Sequence, residues 1–358
     1  MSTVLFHTHG IGRFDYSSLQ PDDLEAVDAL AREHDLTVLP TVYLRRDHLA
    51  SFTEVMKAFD ALKRDGRLPA IAGFAMEGPL LGPEGGIPRA GSWTPTGAEW
   101  RAIASLGTLG LRYVVMAPDA LALDEKISTA CTFAGLLTEL YDQGTRIALG
   151  HFTRENPKRS AERTKDVLNQ LHESYKSSPY LVLTDHLFND MPRAFTHAWR
   201  TPHQCDRRQH ELAKFMDEAW APDTLADTLG PVPAALLEAT RANLLTPALN
   251  FDGHHVDLAI CRRTVDYLTP QRLIAMTDDT ELDAMAGEIL HQLPNSPLRY
   301  RDDGAVASGS SGYPVQAANM ASVGLTDADI ETMFSTVPSQ ALAFTPSSRT
   351  TPVGRTGA

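Results

Sequence analysis

The feature that most constrains the fold is a repeated pairing: a short apolar run, then a histidine or a carboxylate. Its clearest instance is the stretch YLVLTDHLFNDMPR, residues 180–193. The run Tyr180–Leu183 reads as a fully buried strand. It stops at Thr184-Asp185-His186, and the chain then turns through Asn189-Asp190 and Pro192. Other apolar runs end in the same way at His7/His9, Glu77, His151, His255 and Asp278. A polar side chain at the carboxyl end of a buried parallel strand sits where barrel enzymes place their chemistry.

The runs fall at Val4–His9, Leu36–Val42, Ala70–Met76, Leu111–Ala117, Arg146–Leu149, Tyr180–Leu183, Ala248–Phe251 and Arg272–Met276. Between them the spacing predicts helices over 21–34, 48–62, 96–106, 124–143, 157–175, 234–244 and 256–268. Thr96 with Glu99 makes a capping box for the third of these. Strands alternating with helices predict a parallel sheet, and eight strands close a barrel. An open doubly wound sheet needs a Gly-rich phosphate turn after its first strand, and Gly10-Ile11-Gly12 is too short for one. The expected fold is therefore a (β/α)8 TIM barrel over residues 1–344, with an insertion at about 192–233 that contains a helix at 207–220. Trp199, Phe215 and Trp220 in that insertion need a partner, which predicts a cover for the barrel mouth or a subunit contact. Residues 294–311 read as loop and turn, 313–323 and 326–343 as helices, and 345–358 as a disordered tail.

At 358 residues the chain can bury a large core, and 43% apolar and 22% charged residues are ordinary for a globular protein. A net charge of −13 argues against a nucleic-acid or anionic-membrane partner. No apolar run reaches the roughly 18 residues of a membrane span. Cys131, Cys205 and Cys261 are odd in number and far apart, which predicts a reducing compartment and no disulfide framework. The opening MSTVLFHTHG lacks a basic start and a cleavage site, so the expectation is a cytoplasmic protein.

His7-Thr8-His9 on a strand puts both imidazoles on one face, because strand side chains alternate with period two. Such a pair suits a divalent metal, although 13 histidines make a chance His-x-His common. Glu77 ends a buried run, where a carboxylate is costly unless paired or metal-bound. Taken singly, Glu77 reads equally well as a salt-bridge partner, His151 and His186 as core histidines, and Asp278 as a helix cap. Taken together these readings leave unexplained why each falls at a strand's carboxyl end. Imidazoles and carboxylates converging on one barrel mouth form a ligand set for zinc or a similar ion.

Several segments occur in order: His-Thr-His-Gly, Met-Glu-Gly-Pro-Leu-Leu, Ala-Leu-Gly-His, Asp-His-Leu-Phe-Asn-Asp-Met-Pro, Asp-Gly-His-His-Val-Asp and Met-Thr-Asp-Asp. With them, over about residues 4–343, the chain resembles the N-acetylglucosamine-6-phosphate deacetylases of the amidohydrolase superfamily. The resemblance implies that Glu77, His151 and His186 hold one divalent metal, and that His7 and His9 match the pair that holds a second in two-metal members. It gives Asp278 the part of general base at the metal and His255 that of a substrate contact, with Asn189 and Asp190 in the substrate loop. One or two ions are implied, zinc first, with iron, manganese or cobalt as alternatives. The strand ending Val115-Met116-Ala117 offers no lysine for a bridging ligand, which fits Glu77 in that place.

The chain departs from the family's pattern in ways that bear on substrate. The family flanks its barrel with a small β-sandwich built from both termini; here strand one begins by residue 4, and the expectation is a barrel without that sandwich. Gly85-Gly86-Ile87-Pro88-Arg89 carries no histidine for the sugar, and no arginine stands in register beyond Met191-Pro192. Arg89, Arg193 and Arg200 are the cations available for an anion site in a new place, and Arg89 is counted with the substrate residues. The expected function is metal-dependent hydrolysis of a small-molecule N-acyl substrate, with a homodimer possible. A deaminase or cyclic-amide hydrolase, or a non-catalytic metabolite binder, remains compatible with the same barrel.

Overall fold

The computed structural model describes residues 2–83, 86–195, 212, 213, 215, 216, 218–294 and 296–347. Its centre is one eight-stranded parallel sheet. In order around the sheet these are β1 (Thr3–Thr8), β2 (Leu36–Val42), β3 (Phe74–Glu77), β4 (Leu111–Met116), β5 (Arg146–Leu149), β6 (Leu183–His186), β7 (Thr246–Asn250) and β8 (Ile274–Met276). Asp278 donates its N–H to His7 O at 2.9 Å and His9 donates to Asp279 O at 3.0 Å, which joins the last strand to the first. Joined in this way the sheet forms a (β/α)8 barrel, and a barrel has no open edge to protect.

Helices α1 (Leu24–Glu33), α2 (Leu49–Arg64), α3 (Gly97–Ser105), α4 (Phe133–Asp142), α5 (Pro157–Ser174), α6 (Pro231–Arg241), α7 (Leu258–Leu268) and α8 (Tyr313–Ser322) surround it. Most of them lay an apolar stripe on the sheet. In α1 that stripe is Leu24, Val27 and Ala31, all buried, and a leucine buried in this way contributes about 1.5–3 kcal/mol. The Asp28 carboxylate on the same face accepts from Ala70 N at 2.7 Å, which anchors α1 to the segment entering β3. The Thr96–Glu99 capping box starts α3 as its sequence predicts.

Several boundaries differ from expectation, each for a local reason. The strand expected at Tyr180–Leu183 is paired at Leu183–His186 instead. A turn on Ser178, which receives Tyr180 N and Leu181 N, holds the first residues out of the ladder. The polar triplet therefore belongs to the strand and does not follow it. The helix expected from 124 begins at Phe133, where the Thr132 hydroxyl caps Gly135 N. The residues before it form a short hairpin, Lys126–Ser128 with Cys131–Thr132. The loop and turn expected at 294–311 instead holds Leu298–Tyr300 and Val306–Gly309, two strands of a three-stranded antiparallel sheet whose first strand is His291–Gln292. The last expected helix is divided by a π-helical turn at Thr332–Thr336, just before Pro338, whose ring cannot fit a regular α-helical interior.

Within the insertion, residues 212, 213, 215 and 216 are helical, and α6 begins earlier than expected, with Pro231 in its first turn. Phe215 lies 4.9 Å from Phe195 and 5.9 Å from Trp220, while Trp220 meets Tyr267 of α7 at 6.0 Å. Those aromatics find partners within the chain. Trp199, Arg200, Cys205 and the tail beyond 347 lie outside the described residues. Cys131 and Cys261 are free thiols. Among the described residues, no helix is long and apolar enough to cross a membrane.

Candidate metal centre

The carboxyl ends of β1, β3, β5, β6 and β8 deliver their polar side chains to one buried cluster. His7 and His9 share the inner face of β1 with their Nε2 atoms 3.3 Å apart, while Thr8 points away and bonds Asp279 Oδ1 at 3.2 Å. The period-two reading of His-x-His holds. Glu77 stands between two sets of imidazoles. Its Oε2 lies 3.1 Å from His7 Nε2 and 3.5 Å from His9 Nε2, and its Oε1 lies 2.5 Å from His151 Nε2 and 3.6 Å from His186 Nε2. Asp278 Oδ1 is 3.2 Å from His9 Nε2, and its Oδ2 is 3.5 Å from His255 Nε2. All these side chains are buried.

Donor atoms converge in two groups: Glu77, His151, Asp185 and His186 in one, and His7, His9 and Asp278 in the other. In each group the donors lie within 4.8 Å of one another. The donor chemistry fits divalent ions, and so do its unsatisfied atoms. Both Asp185 oxygens, which face His151 Nε2, His186 Nε2 and His7 Nδ1, are buried without a hydrogen bond of acceptable geometry. Buried polar atoms are seldom left so in a finished site.

The electrostatics point the same way. Burial alone lowers a histidine pKa, yet Asp185 and Glu77 outweigh it: His7 and His186 are raised, and His151 is raised to about 9. Burial pushes the Glu77 and Asp185 carboxylates up, and the surrounding imidazoles bring both below the usual range. Without an ion, this cluster needs protons on its histidines to balance its carboxylates. A divalent cation supplies that charge and leaves the imidazoles neutral, the form that ligates.

Neighbours fix the rings on the His7/His9 side. His9 Nδ1 lies 3.2 Å from Thr41 O, which can only accept, so this nitrogen carries the proton and Nε2 presents its lone pair. The Tyr43 ring stacks on His9 at 4.5 Å, with its hydroxyl 3.2 Å from His9 Nε2. Tyr113 Oη stands 3.3 Å from His7 Nδ1. Burial raises both phenols well above 10, so they stay neutral.

His255 is held on the far side of Asp278. Asp252 Oδ2 lies 2.6 Å from His255 Nδ1, and Asp252 Oδ1 accepts from the N–H groups of His254 and His255 at 2.7 and 2.8 Å. The buried imidazole is therefore His255, with His254 half-buried. Asn189 and Asp190 are buried beside the cluster. Asp190 Oδ2 accepts from Gly86 N at 3.1 Å, and Asp190 Oδ1 accepts from Arg154 Nη2. Arg89 is not part of the cluster; its guanidinium is exposed and pairs with Asp303 at 2.9 Å.

His151, Arg154, Phe188, Asp190 and Asp278 all adopt positive φ, between 39° and 70°. Non-glycine residues held there cost of order 1–3 kcal/mol each and gather at functional sites. Sequence reasoning gave no role to Asp185, Tyr43, Tyr113, Arg154 or Asp252. For Asp185 the alternation rule itself misleads: it places neighbours Asp185 and His186 on opposite faces. A register irregularity between Leu183 and His186 brings them together, with His186 Nε2 3.0 Å from Asp185 Oδ2.

The fold and the site together define a (β/α)8 barrel with a buried imidazole–carboxylate centre at the carboxyl ends of its strands. No protein-family model and no curated protein matches the chain. Solved structures do. The N-acetylglucosamine-6-phosphate deacetylase of Pasteurella multocida aligns over 95% of this chain and 76% of its own, with a TM-score of 0.67 and 14% identity. That of Mycobacterium smegmatis aligns over 97% and 80%, with a TM-score of 0.64 and 20% identity. The Thermotoga maritima enzyme gives 95%, 78%, 0.64 and 14%. The chain thus has the fold of these deacetylases.

Proposed function

We propose that the protein is a metal-dependent amide hydrolase that removes an acyl group, in particular acetyl, from an amino sugar or a related small amine. The observation that carries this reading is the convergence of His7, His9, Glu77, His151, His186 and Asp278 at the barrel mouth. The fold shared with the deacetylases supports it. An imidazole-rich set of this kind suits zinc, and iron, manganese or cobalt can share it. A bound ion supplies Lewis acidity, lowering the pKa of water to about 7 and polarising an amide carbonyl.

The chain's own residues supply the rest. Asp278 is the general base, taking a proton from the attacking water and passing it to the departing amine. His255, fixed by Asp252, turns Nε2 toward Asp278 and the space above it, where it meets substrate. Asn189 and Asp190 form part of the substrate wall.

Among the described residues, a phosphate on the substrate is less well served; Arg200 lies outside them. Arg89 is engaged by Asp303, Arg154 by Asp190, and Arg193 donates to Phe188 O. A phosphate without a free arginine forfeits charge-assisted hydrogen bonds of about 1.5–3 kcal/mol each. We therefore expect an unphosphorylated or larger N-acyl amine to be preferred.

The test is kcat/KM for N-acetylglucosamine-6-phosphate against unphosphorylated and larger N-acyl amino sugars, following acetate and ammonia release in metal-loaded protein. Phosphosugar turnover on the order of 10⁵ M⁻¹s⁻¹ or above overturns the specificity and leaves the amide chemistry standing. Ammonia without carboxylate identifies a deaminase. Binding without turnover across the panel identifies a metabolite binder.

A further inference from the structure

Asp185 lies among the donor atoms of one group, and the proposed chemistry assigns it no part. We propose that it couples the two donor groups, acting through Oδ2 as a ligand beside Glu77, His151 and His186, and through Oδ1 as the residue that orients His7. The inference rests on the reading that the cluster holds divalent ions.

Its two oxygens face different partners. Oδ2 lies 3.0 Å from His186 Nε2 and 3.3 Å from His151 Nε2. These are the nitrogens that face Glu77 Oε1, so one group collects two carboxylate oxygens and two imidazole nitrogens. Oδ1 lies 3.3 Å from His7 Nδ1, the ring atom opposite the one that meets Glu77 and His9. The negative charge beside Nδ1 favours the proton there and leaves Nε2 as the donor to an ion, through a contact not aligned as a hydrogen bond. Tyr113 Oη shares that nitrogen at the same distance.

Two observations separate this role from that of a structural ion pair. Neither Asp185 oxygen makes a hydrogen bond of acceptable geometry, although its side chain is fully buried. A structural carboxylate in such a place has its lone pairs filled by protein donors. The backbone beside it is also cleared: a Cβ on Gly150 would lie 2.5 Å from Asp185 Cβ and 2.9 Å from Oδ2. Charge agrees with the geometry. Two dications against Glu77, Asp278 and Asp185, with neutral imidazoles, leave a single net positive charge in a buried site.

The experiment measures Zn²⁺ and Mn²⁺ affinity by chelator competition on stripped protein, for wild type and Asp185→Asn. Each is repeated in a His9→Ala background, which leaves the Glu77 group, and in a His186→Ala background, which leaves the His7 group. Expected is a loss of about 10–100-fold in both backgrounds. Affinities within about threefold of the parent, or weakening confined to one background, overturn the coupling. Wild-type protein that binds no divalent ion overturns both this inference and the proposed function; ion binding that ignores Asp185 overturns only the former. Should Asp185→Asn fail to fold by circular dichroism, Gly150→Ala keeps the charge and displaces the carboxylate. Unchanged affinity in that variant overturns the proposal.

Discussion

The two halves of the donor cluster are built on different plans. Around His7 and His9 most of the support is neutral and rigid, a backbone carbonyl and two buried phenols, one of them stacked on His9, with Asp185 as the one charged partner at His7 Nδ1. Around His151 and His186 the partners are charged and incomplete: Glu77, and Asp185 with neither oxygen in a hydrogen bond of acceptable geometry. The first half is preorganised by the protein, whereas the second reaches a satisfied state only when a cation arrives. An ion should therefore bind the first half with little rearrangement and should stabilise the second half most.

The first expected effect tests that dependence directly. Substituting His186→Ala removes one of four donors from the charged half, and metal content should fall by about half. Plasma emission on dialysed protein measures it, and undiminished content would remove His186 from the ligand set.

Next comes Asp278→Asn, which takes a carboxylate from the preorganised half. The amide is nearly isosteric, so the fold should persist while kcat falls by roughly 10²–10⁴. Near-normal turnover on the true substrate would assign the base elsewhere.

The third effect contrasts the protein with and without its ions. In metal-free protein His151 is raised to about 9, and His7 and His186 are raised as well. A histidine with a raised folded pKa gives stability that is complete below about 6.5 and is lost as pH rises through the folded value. Glu77, whose pKa is depressed, gives stability present above its usual value and lost as pH falls. Stripped protein should thus show its highest Tm in mildly acidic solution and lose it toward pH 9, while the loaded form stays stable there. Coincident Tm profiles with and without chelator would refute the charge argument.

The smallest effect sharpens the comparison. Tyr113→Phe deletes one hydroxyl beside His7 Nδ1 in the rigid half and keeps the ring stacked on Phe6. One hydrogen bond is worth about 0.5–1.5 kcal/mol, so ion affinity in that half should weaken by roughly 2–10-fold. A larger loss would mean that the phenol does more than steady the ring.

The sequence by itself determined the barrel and most of the donor set. Alternating buried runs and amphipathic helices leave few topologies, and the period of two places His7 and His9 on one face. Glu77, His151, His186 and Asp278 were legible because each ends an apolar run, where a polar residue is costly without a purpose. The tertiary structure decided the rest. Asp185 enters the site through an irregularity in β6, and pairing register depends on neighbouring strands as well as on local pattern. Tyr43 and Tyr113 carry no signal of their own in the sequence; barrel closure sets their hydroxyls against His9 and His7. The antiparallel sheet within 291–309 escaped notice because its strands run only two to four residues, too short for periodicity to register. Short-range pattern gives the face a side chain takes in a regular strand; only long-range register and closure decide the departures, and what each side chain meets.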